Sequence, residues 1–175
     1  MEFKISCLLF IRNREDEVLM LRRNKSPNKG RWSPPGGKLD MSKGESPFEC
    51  AKREAQEETG LVLSDDDLTL FGYVSEKGYE STTNWLMFLF ECKKLLNSLP
   101  PDIDEGTFSF YTRRDIDGLE IPPTDHQLVW PLFDKRKAGF WGVRAECHMN
   151  QPLKLKIEES PHLRDNDFLI NHPRE

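Results

Sequence analysis

Residues 36–61 read GGKLDMSKGESPFECAKREAQEETGL, and this stretch contains the clearest structural signals in the chain. Ser46 is suited to cap a helix, Pro47 to occupy its first position, and Glu49 to complete a capping box. Gly60 is suited to end the same helix, because glycine adopts the left-handed conformation of a helix C-terminus without strain. The stretch therefore predicts a helix from Pro47 to the residue before Gly60, preceded by a glycine-rich turn.

Three carboxylates share one face of this predicted helix. At about 100° per residue, Glu54, Glu57 and Glu58 fall beside the stripe that is expected to face the core. Like charges at this spacing repel, and the repulsion grows next to an apolar face. A solvated acidic face would explain the helix taken alone. Hard oxygen ligands in this arrangement also suit Mg²⁺ or Mn²⁺, and the neighbouring Arg53 could hold one glutamate by a bidentate hydrogen bond.

The segment before the helix is basic and rich in glycine and proline. Residues 22–38 contain no acid, and their cations are Arg22, Arg23, Lys25, Lys29, Arg31 and Lys38. A Gly-Gly turn lets the backbone approach a ligand closely, and clustered cations attract a polyphosphate and neutralise its charge. Together with the acidic helix, the segment favours a metal site that binds a polyphosphate over a merely solvated acidic face.

The stretch resembles the Nudix box, a pattern of Gly, five residues, Glu, seven residues, Arg-Glu, an aliphatic residue, any residue, Glu-Glu, any residue, Gly and an aliphatic residue. The positions in register are Glu45, Arg53, Glu54, Glu57, Glu58, Gly60 and Leu61. Seven residues rather than five separate Gly37 from Glu45, so Met41-Ser42 is interpreted as an insertion in the loop. Ala55 stands where the pattern has its first aliphatic residue.

The resemblance implies a Mg²⁺-dependent hydrolase, with Mn²⁺ as an alternative metal, that splits a nucleoside diphosphate linked to another group. It implies catalytic roles for Arg53, Glu54, Glu57 and Glu105. The metal ligands that it implies are the Gly36 carbonyl, Glu54, Glu57, Glu58 and Glu105. Gly37, Glu45 and Gly60 would be structural members of the box, with Glu45 holding Arg53. Which glutamate acts as the general base stays open.

Outside the box the chain resembles, more loosely, the MutT-type enzymes of this family, which convert 8-oxo-dGTP and other nucleoside triphosphates to the monophosphate and pyrophosphate. The segments that carry this likeness are 12–23, 30–35, 104–108, 121–126 and 130–132. Matching positions would make Glu105 a further metal ligand or base, Arg23 and Lys38 phosphate contacts, and Ser33 and Asp125 contacts of the nucleobase.

Several of these residues also have simpler explanations. Glu105 could be an ordinary loop acid, and Asp125 could be an acid favoured by the dipole at a helix N-terminus. Trp32 and Trp85 are aromatic candidates for stacking on a base, although packing in the core is favoured for Trp85.

The remaining pattern predicts an α+β fold, an α/β/α sandwich in which a mixed β-sheet is packed between helices. This is also the fold that the resemblance implies. Strands are expected over 3–11, 18–21, 68–75, 83–92 and 107–112, and the first two should form a hairpin or a neighbouring pair. A short helix or turn is expected at 115–119, and a second long helix over 122–137. Residues 140–148 and 153–158 predict a closing hairpin around Asn150-Gln151. We expect a hydrolase domain over 1–138, a hairpin over 139–159 that extends the sheet or forms a dimer surface, and a loose tail over 160–175.

Composition excludes other classes of protein. A hydrophobic fraction of 37% in 175 residues supports one folded domain rather than a disordered chain. The net charge of −5 disfavours a DNA- or RNA-binding protein. The four cysteines form no C-x-x-C pair, so we expect reduced thiols. No apolar stretch has the length of a membrane span. We therefore expect a soluble cytoplasmic enzyme, monomer or homodimer, with a nucleotide as its partner.

Two rival functions remain at this stage. Hydrolysis of ADP-ribose or another nucleoside diphosphate derivative would use the same box. A non-catalytic nucleotide-binding regulator is less favoured, because such a protein should have lost one of the three helical glutamates, and this chain keeps all of them.

Overall fold

Two β-sheets form the centre of the fold in the computed structural model, which describes residues 2–26, 28–79, 83–148 and 151–161. Within these residues the strands are β1 (Glu2–Phe10), β2 (Val18–Arg23), β3 (Trp32–Ser33), β4 (Gly36–Lys38), β5 (Leu68–Tyr79), β6 (Thr83–Cys92), β7 (Gly106–Tyr111), β8 (Trp141–Glu146) and β9 (Lys154–Glu159). The helices in the same residues are α1 (Pro47–Thr59), α2 (Arg113–Ile116) and α3 (Asp125–Asp134), with short 3₁₀ turns at Met41–Lys43, Asp65–Asp67 and Arg136–Ala138.

The larger sheet is mixed, as predicted. Its strand order is β4-β1-β6-β5-β8-β9, with β1 parallel to β6 and β5 parallel to β8. The smaller sheet has the order β3-β2-β7. The predicted pairing of the first two strands is therefore wrong in one respect. An isolated bridge between Arg12 and Val18 and a hydrogen bond from the Leu19 amide to the Ile11 carbonyl at 2.8 Å join the end of β1 to β2, but the two strands continue into different sheets.

The side chains of β1 alternate between two hydrophobic clusters, one on each face of the sheet. Leu9 and Ile11 belong to the cluster beneath α1, together with Ala51 and Ala55. Phe10 belongs to the opposite cluster, which contains the buried side chains of α3. The larger sheet is thus covered by α1 on one face and by α3 on the other, which confirms the predicted layer arrangement.

The limits of several elements differ from the prediction. Residues 36–38, expected as loop, form the edge strand β4, because Ser6, Cys7 and Leu8 of β1 pair with them. Strand β5 is four residues longer than expected and ends at Tyr79. The second long helix is shorter than expected, since α3 begins at Asp125 and a 3₁₀ turn follows its end.

The C-terminal hairpin extends the larger sheet. Strand β8 pairs with β5, and β9 pairs antiparallel with β8 at the edge. Asn150 in the predicted turn and residues 162–175 of the predicted tail lie outside the described residues. All four cysteines are free, and three of them are buried. Among the described residues, no helix combines the length and the apolar character that a membrane span requires.

Candidate active site

The ends of α1 are fixed by local hydrogen bonds, as its sequence predicts. The Ser46 hydroxyl accepts from the Glu49 amide at 3.2 Å, and the Glu49 carboxylate accepts from the Ser46 amide at 2.8 Å. Gly60 ends the helix with φ +73°. Ala51 and Ala55 are buried against the sheet, so the helix can turn its acidic face only toward β4. This orientation brings Glu54 and Glu58 next to the Gly-Gly turn.

Arg53 connects the acidic residues of α1 to the loop before it. Its Nε and Nη2 donate to the two oxygens of Glu45 at 2.7 and 2.9 Å. Its Nη1 donates to Glu54 at 2.7 Å and to Glu57 at 3.0 Å, while Nη2 also donates to the Lys38 carbonyl at 3.1 Å. A planar guanidinium suits this role, because its donors diverge in a rigid fork. Arg53 therefore fixes the positions of two of the three helical glutamates.

Glu54 and Glu58 are acids in a poorly solvated environment. Glu58 is 9% exposed, and burial raises its pKa to about 8, although an amide hydrogen bond from Gly36 at 2.9 Å favours its ionised form. Burial also raises the pKa of Glu54, against the opposing effect of Arg53. Glu57, in contrast, is mostly exposed. Burial thus disfavours the ionised form of both carboxylates, and the ion pair with Arg53 offsets this effect only in part at Glu54.

Both glycines of the turn are required by close contacts. A Cβ at Gly37 would overlap the Glu54 carboxylate, and a Cβ at Gly36 would overlap the carbonyl oxygen of Cys7. Gly36 also has a φ of +147°, which side-chain-bearing residues rarely adopt. The backbone of β4 therefore lies directly against the acidic face of α1.

The Met41-Ser42 insertion does not disturb this contact. Residues 41–43 form a 3₁₀ turn, in which the Asp40 carboxylate accepts from the Ser42 amide at 3.1 Å. The Asp40 amide in turn donates to Glu45 at 2.7 Å. The extra residues are thus accommodated outside the pairing of Glu45 with Arg53.

A cavity of about 560 Å³ adjoins α1 and β4. This volume is in the range of small-molecule binding sites. The sequence-predicted residues that line it are Arg23, Ser33, Gly36, Gly37, Lys38, Glu54, Glu57, Glu58, Glu105 and Asp125. Arg53, Glu45 and Gly60 do not line it. Of the six basic residues between 22 and 38, only Arg23 and Lys38 reach the cavity.

The carboxylates of α1 and Glu105 line the cavity but do not converge on one point. Among the described residues, no three His, Cys, Asp or Glu side chains form a ready-made metal site. Glu54 and Glu57 both contact Arg53 instead, and Glu105 lies 3.5 Å from the Lys25 ammonium. The chemistry of the donors nevertheless fits a hard divalent cation, since the buried Glu58 and the half-buried Glu54 have raised pKa values and added positive charge would favour their ionised forms.

Comparison with known proteins identifies the family. The family model for the NUDIX domain matches residues 2–132. The chain belongs to the Nudix family. An uncharacterised Nudix hydrolase of Bacillus subtilis, YvcI, is 30% identical over 116 residues, which are 66% of this chain and 70% of that protein. These matches establish the chain as a Nudix hydrolase.

Two further relatives are informative about fold and domain extent. A MutT protein from Bacillus halodurans has a TM-score of 0.69 at 21% identity, covering 90% of this chain and 99% of that one. The mouse protein named 8-oxo-dGDP phosphatase NUDT18 is 37% identical over 78 residues, which are 45% of this chain and 21% of that protein. The first of these supports the Nudix fold, and the second matches over only a small part of its own length.

Sequence analysis missed several residues of this Nudix cavity. Glu76, Tyr79 and Asn28 line it, and the Tyr79 hydroxyl donates to Asn28 at 2.7 Å. Glu76 could have been suspected, because it lies two residues after the core residue Val74 in β5 and so on the same face, where an acid is unusual.

The two tryptophan predictions need correction. Trp85 was expected in the core, but it is only partly buried and lines the cavity, because its β6 position lies beside Glu76 of β5. Trp32 does not line the cavity, and its ring packs edge-on against Tyr111 at 5.0 Å. Trp85 therefore remains the only one of the two that is placed to touch a ligand in this cavity.

Proposed function

We propose that this chain converts a nucleoside triphosphate to the monophosphate and pyrophosphate, with 8-oxo-dGTP as the leading candidate. Nudix hydrolases act on nucleoside diphosphate derivatives, and the finer assignment is our hypothesis. The observation that carries it is the distribution of groups along one cavity. Arg23, Lys38 and the carboxylates of α1 lie near β4, whereas the buried acids Glu76 and Asp125 belong to β5, three strands away, and to the start of α3. That distribution suits a ligand with a polyphosphate and a hydrogen-bonding base.

The carboxylates at the α1 end suit Mg²⁺ or Mn²⁺. The groups that would hold the cation are the Gly36 carbonyl, Glu54, Glu57, Glu58 and Glu105. When bound, a divalent cation makes water more acidic and neutralises charge on phosphoryl oxygens. Opposite charge also explains why buried acids are tolerated here, because an ionised carboxylate without a partner is costly to bury.

The protein's own groups would then position the reacting atoms. Arg23 and Lys38 line the cavity and would bind the phosphates, and they would stabilise charge that develops on the phosphoryl oxygens. Ser33 and Asp125 would face the base. Arg53 does not reach the cavity and would act by holding Glu54 and Glu57 in place.

Hydrolysis requires that a water oxygen bond to phosphorus while the phosphoanhydride bond breaks. A glutamate must accept the proton that the water loses. Glu54 is suited to this role, because it is half-buried, lines the cavity and is oriented by Arg53. Glu57, Glu58 and Glu105 stay alternatives for the general base.

One alternative is hydrolysis of ADP-ribose or another nucleoside diphosphate derivative. The likeness to the protein named 8-oxo-dGDP phosphatase favours a test of nucleoside diphosphates in particular. A non-catalytic regulator is disfavoured, since Glu54, Glu57 and Glu58 are all present and line the cavity.

The test is a substrate panel with purified protein and Mg²⁺ or Mn²⁺. The panel contains the common nucleoside triphosphates, 8-oxo-dGTP, 8-oxo-dGDP and ADP-ribose. Release of pyrophosphate with the matching monophosphate is the expected result. Preferential release of AMP and ribose phosphate, or of orthophosphate from 8-oxo-dGDP, would overturn the triphosphate assignment.

The Glu54→Gln variant tests the catalytic assignment separately. Loss of a general base or ligand should lower turnover by about 100-fold or more. Glu159→Gln is a matched control, because Glu159 is exposed on the edge strand β9. Turnover of Glu54→Gln within about threefold of the control would contradict the assignment.

A further inference from the structure

Two buried carboxylates outside the Nudix box line the cavity. Glu76 lies on β5 and is 3% exposed, and Asp125 is the first residue of α3 and is 6% exposed. Both contribute to the cavity surface. Among the ion pairs of the described residues, none includes either carboxylate. Buried acids without a cationic partner are rare in proteins and often mark a functional site.

The pair is far from the carboxylates of α1. Gly36 and Gly37 lie on β4, Glu76 lies on β5, and β1 and β6 separate these two strands in the sheet. Three steps between neighbouring strands span about 14 Å. The acids of α1 and the pair of Glu76 and Asp125 therefore occupy opposite ends of one cavity.

The pair also influences its own protonation. Burial raises the pKa of Asp125 well above its usual range, the nearby Glu76 carboxylate raises it further, and Arg31 partly offsets both effects. Burial raises the pKa of Glu76 as well. Burial and the charge of Glu76 thus favour the protonated form of Asp125, and burial favours the protonated form of Glu76.

The groups around the pair are mostly neutral. The Cys147 thiol, just after β8, donates to a Glu76 oxygen at 3.3 Å. The Arg31 guanidinium donates to Asn28 at 3.2 Å, and the same oxygen of Asn28 accepts from the Tyr79 hydroxyl at 2.7 Å. The Thr124 hydroxyl, next to Asp125, is a second neighbour that favours the ionised form of Glu76. A thiol and a hydroxyl together satisfy only part of the capacity of four carboxyl oxygens. The pair therefore retains hydrogen-bonding capacity for a ligand.

We infer that Glu76 is a specificity-determining residue that, with Asp125, binds the edge of a guanine-type base at the end of the cavity opposite α1. The inference rests on the proposed function and extends it, since it assigns Glu76 a role in the choice of the base. The sequence comparison with MutT-type enzymes suggested Asp125 but gave no role to Glu76.

The donor and acceptor count favours guanine. Two carboxyl groups offer several acceptor oxygens, and a carboxyl that keeps its proton adds one donor. The edge of guanine presents a ring N–H and an amino group as donors beside a single carbonyl acceptor. Hypoxanthine lacks the amino group, and thymine has one ring N–H between two carbonyl acceptors. Guanine and 8-oxoguanine share this edge, so the pair would accept both.

Binding of nucleoside monophosphates tests the inference without turnover. Dissociation constants of dGMP, dIMP and dTMP are measured by calorimetry in EDTA, for the wild type and for the variants Glu76→Gln, Glu76→Leu and Asp125→Asn. The control is again Glu159→Gln. The wild type and the control should prefer dGMP over dIMP by about tenfold, the usual value of a bidentate contact to a base. Glu76→Leu should reduce that preference to less than about twofold, and Glu76→Gln should weaken it.

The outcomes separate this inference from the proposed function. Monophosphates contain no phosphoanhydride bond, so their binding is measured whether or not triphosphates are substrates. The inference is overturned if the wild type does not prefer dGMP to dIMP and dTMP, a result that requires no variant to fold. It is also overturned if folded Glu76→Leu keeps the wild-type preference. A Glu76-dependent preference for dGMP would support it even if the substrate panel shows no pyrophosphate release.

Discussion

The raised pKa of Glu58 predicts that the metal-free protein becomes less stable as the pH rises. The pKa of this carboxyl is about 8 in the folded protein, against an ordinary value of 4.5. Between these values the unfolded chain has lost the proton while the folded chain keeps it. Stability from Glu58 is therefore complete below about pH 4.5 and is lost progressively as the pH rises to about 8. At about 1.4 kcal/mol per pH unit, the loss amounts to roughly 5 kcal/mol.

Glu58→Gln removes this proton and keeps an oxygen that can accept from the Gly36 amide. The free energy of unfolding is measured by urea denaturation in EDTA at several pH values from about 5 to about 8. The wild type should lose several kcal/mol more than the variant across this range. Glu54, Glu76 and Asp125 also have raised pKa values, but they are present in both proteins and largely cancel in the difference.

The control is Glu159→Gln, which removes an exposed carboxylate from the edge strand β9. Its pH profile should follow that of the wild type. Added Mg²⁺ near pH 8 should restore stability to the wild type more than to Glu58→Gln, because a bound cation favours the ionised carboxylate. Parallel pH profiles for the wild type and Glu58→Gln would refute the argument that burial of Glu58 raises its pKa.

Three further predictions follow from the same contacts. Gly37→Ala should lower turnover by about 100-fold while the fold is retained, because its methyl group displaces the Glu54 carboxylate. Gly118→Ala is the control and should retain full activity in the same assay, because its methyl group would make only an ordinary contact of 3.5 Å with the Asp115 carbonyl oxygen. Arg53→Lys should lower the free energy of unfolding by about 1–3 kcal/mol and turnover by about 100-fold. The reason is that a single ammonium cannot hold Glu45, Glu54 and Glu57 together. Unchanged stability in urea denaturation would contradict this role. Iodoacetamide should label Cys147 before the other cysteines, because Cys7, Cys50 and Cys92 are fully buried and react only after denaturation. The labelling of Cys147 should itself be slow, because burial raises its pKa to about 12. Peptide mass spectrometry gives the order of labelling.

Helix α1 could be predicted from the sequence because its signals are local. Ser46, Pro47, Glu49 and Gly60 define its ends through bonds within the helix itself. The placement of Glu54, Glu57 and Glu58 beside the buried face followed from helical geometry alone. The resemblance to the Nudix box then indicated the partners of the helix, and the structure places most of those residues around one cavity.

Features that depend on distant contacts were not predictable in the same way. Residues 36–38 form a strand only because β1 pairs with them, and three residues carry no periodicity of their own. Glu76 is buried because α3 packs against β5, a contact between segments that lie far apart in the chain. The position of Trp85 next to Glu76 depends on the register of β5 with β6, which the sequence did not specify.

The order of strands in the larger sheet has a consequence for how such an enzyme can diverge. The acids of α1 face β4, whereas Glu76 and Asp125 belong to β5 and to a helix on the other face of the sheet. Substitutions in one region need not disturb the other, because sites without shared partners act nearly independently. Under the proposed assignments, evolution or an engineer could exchange the preferred base by substitutions in β5 and at the start of α3, and leave the hydrolytic site at α1 unchanged.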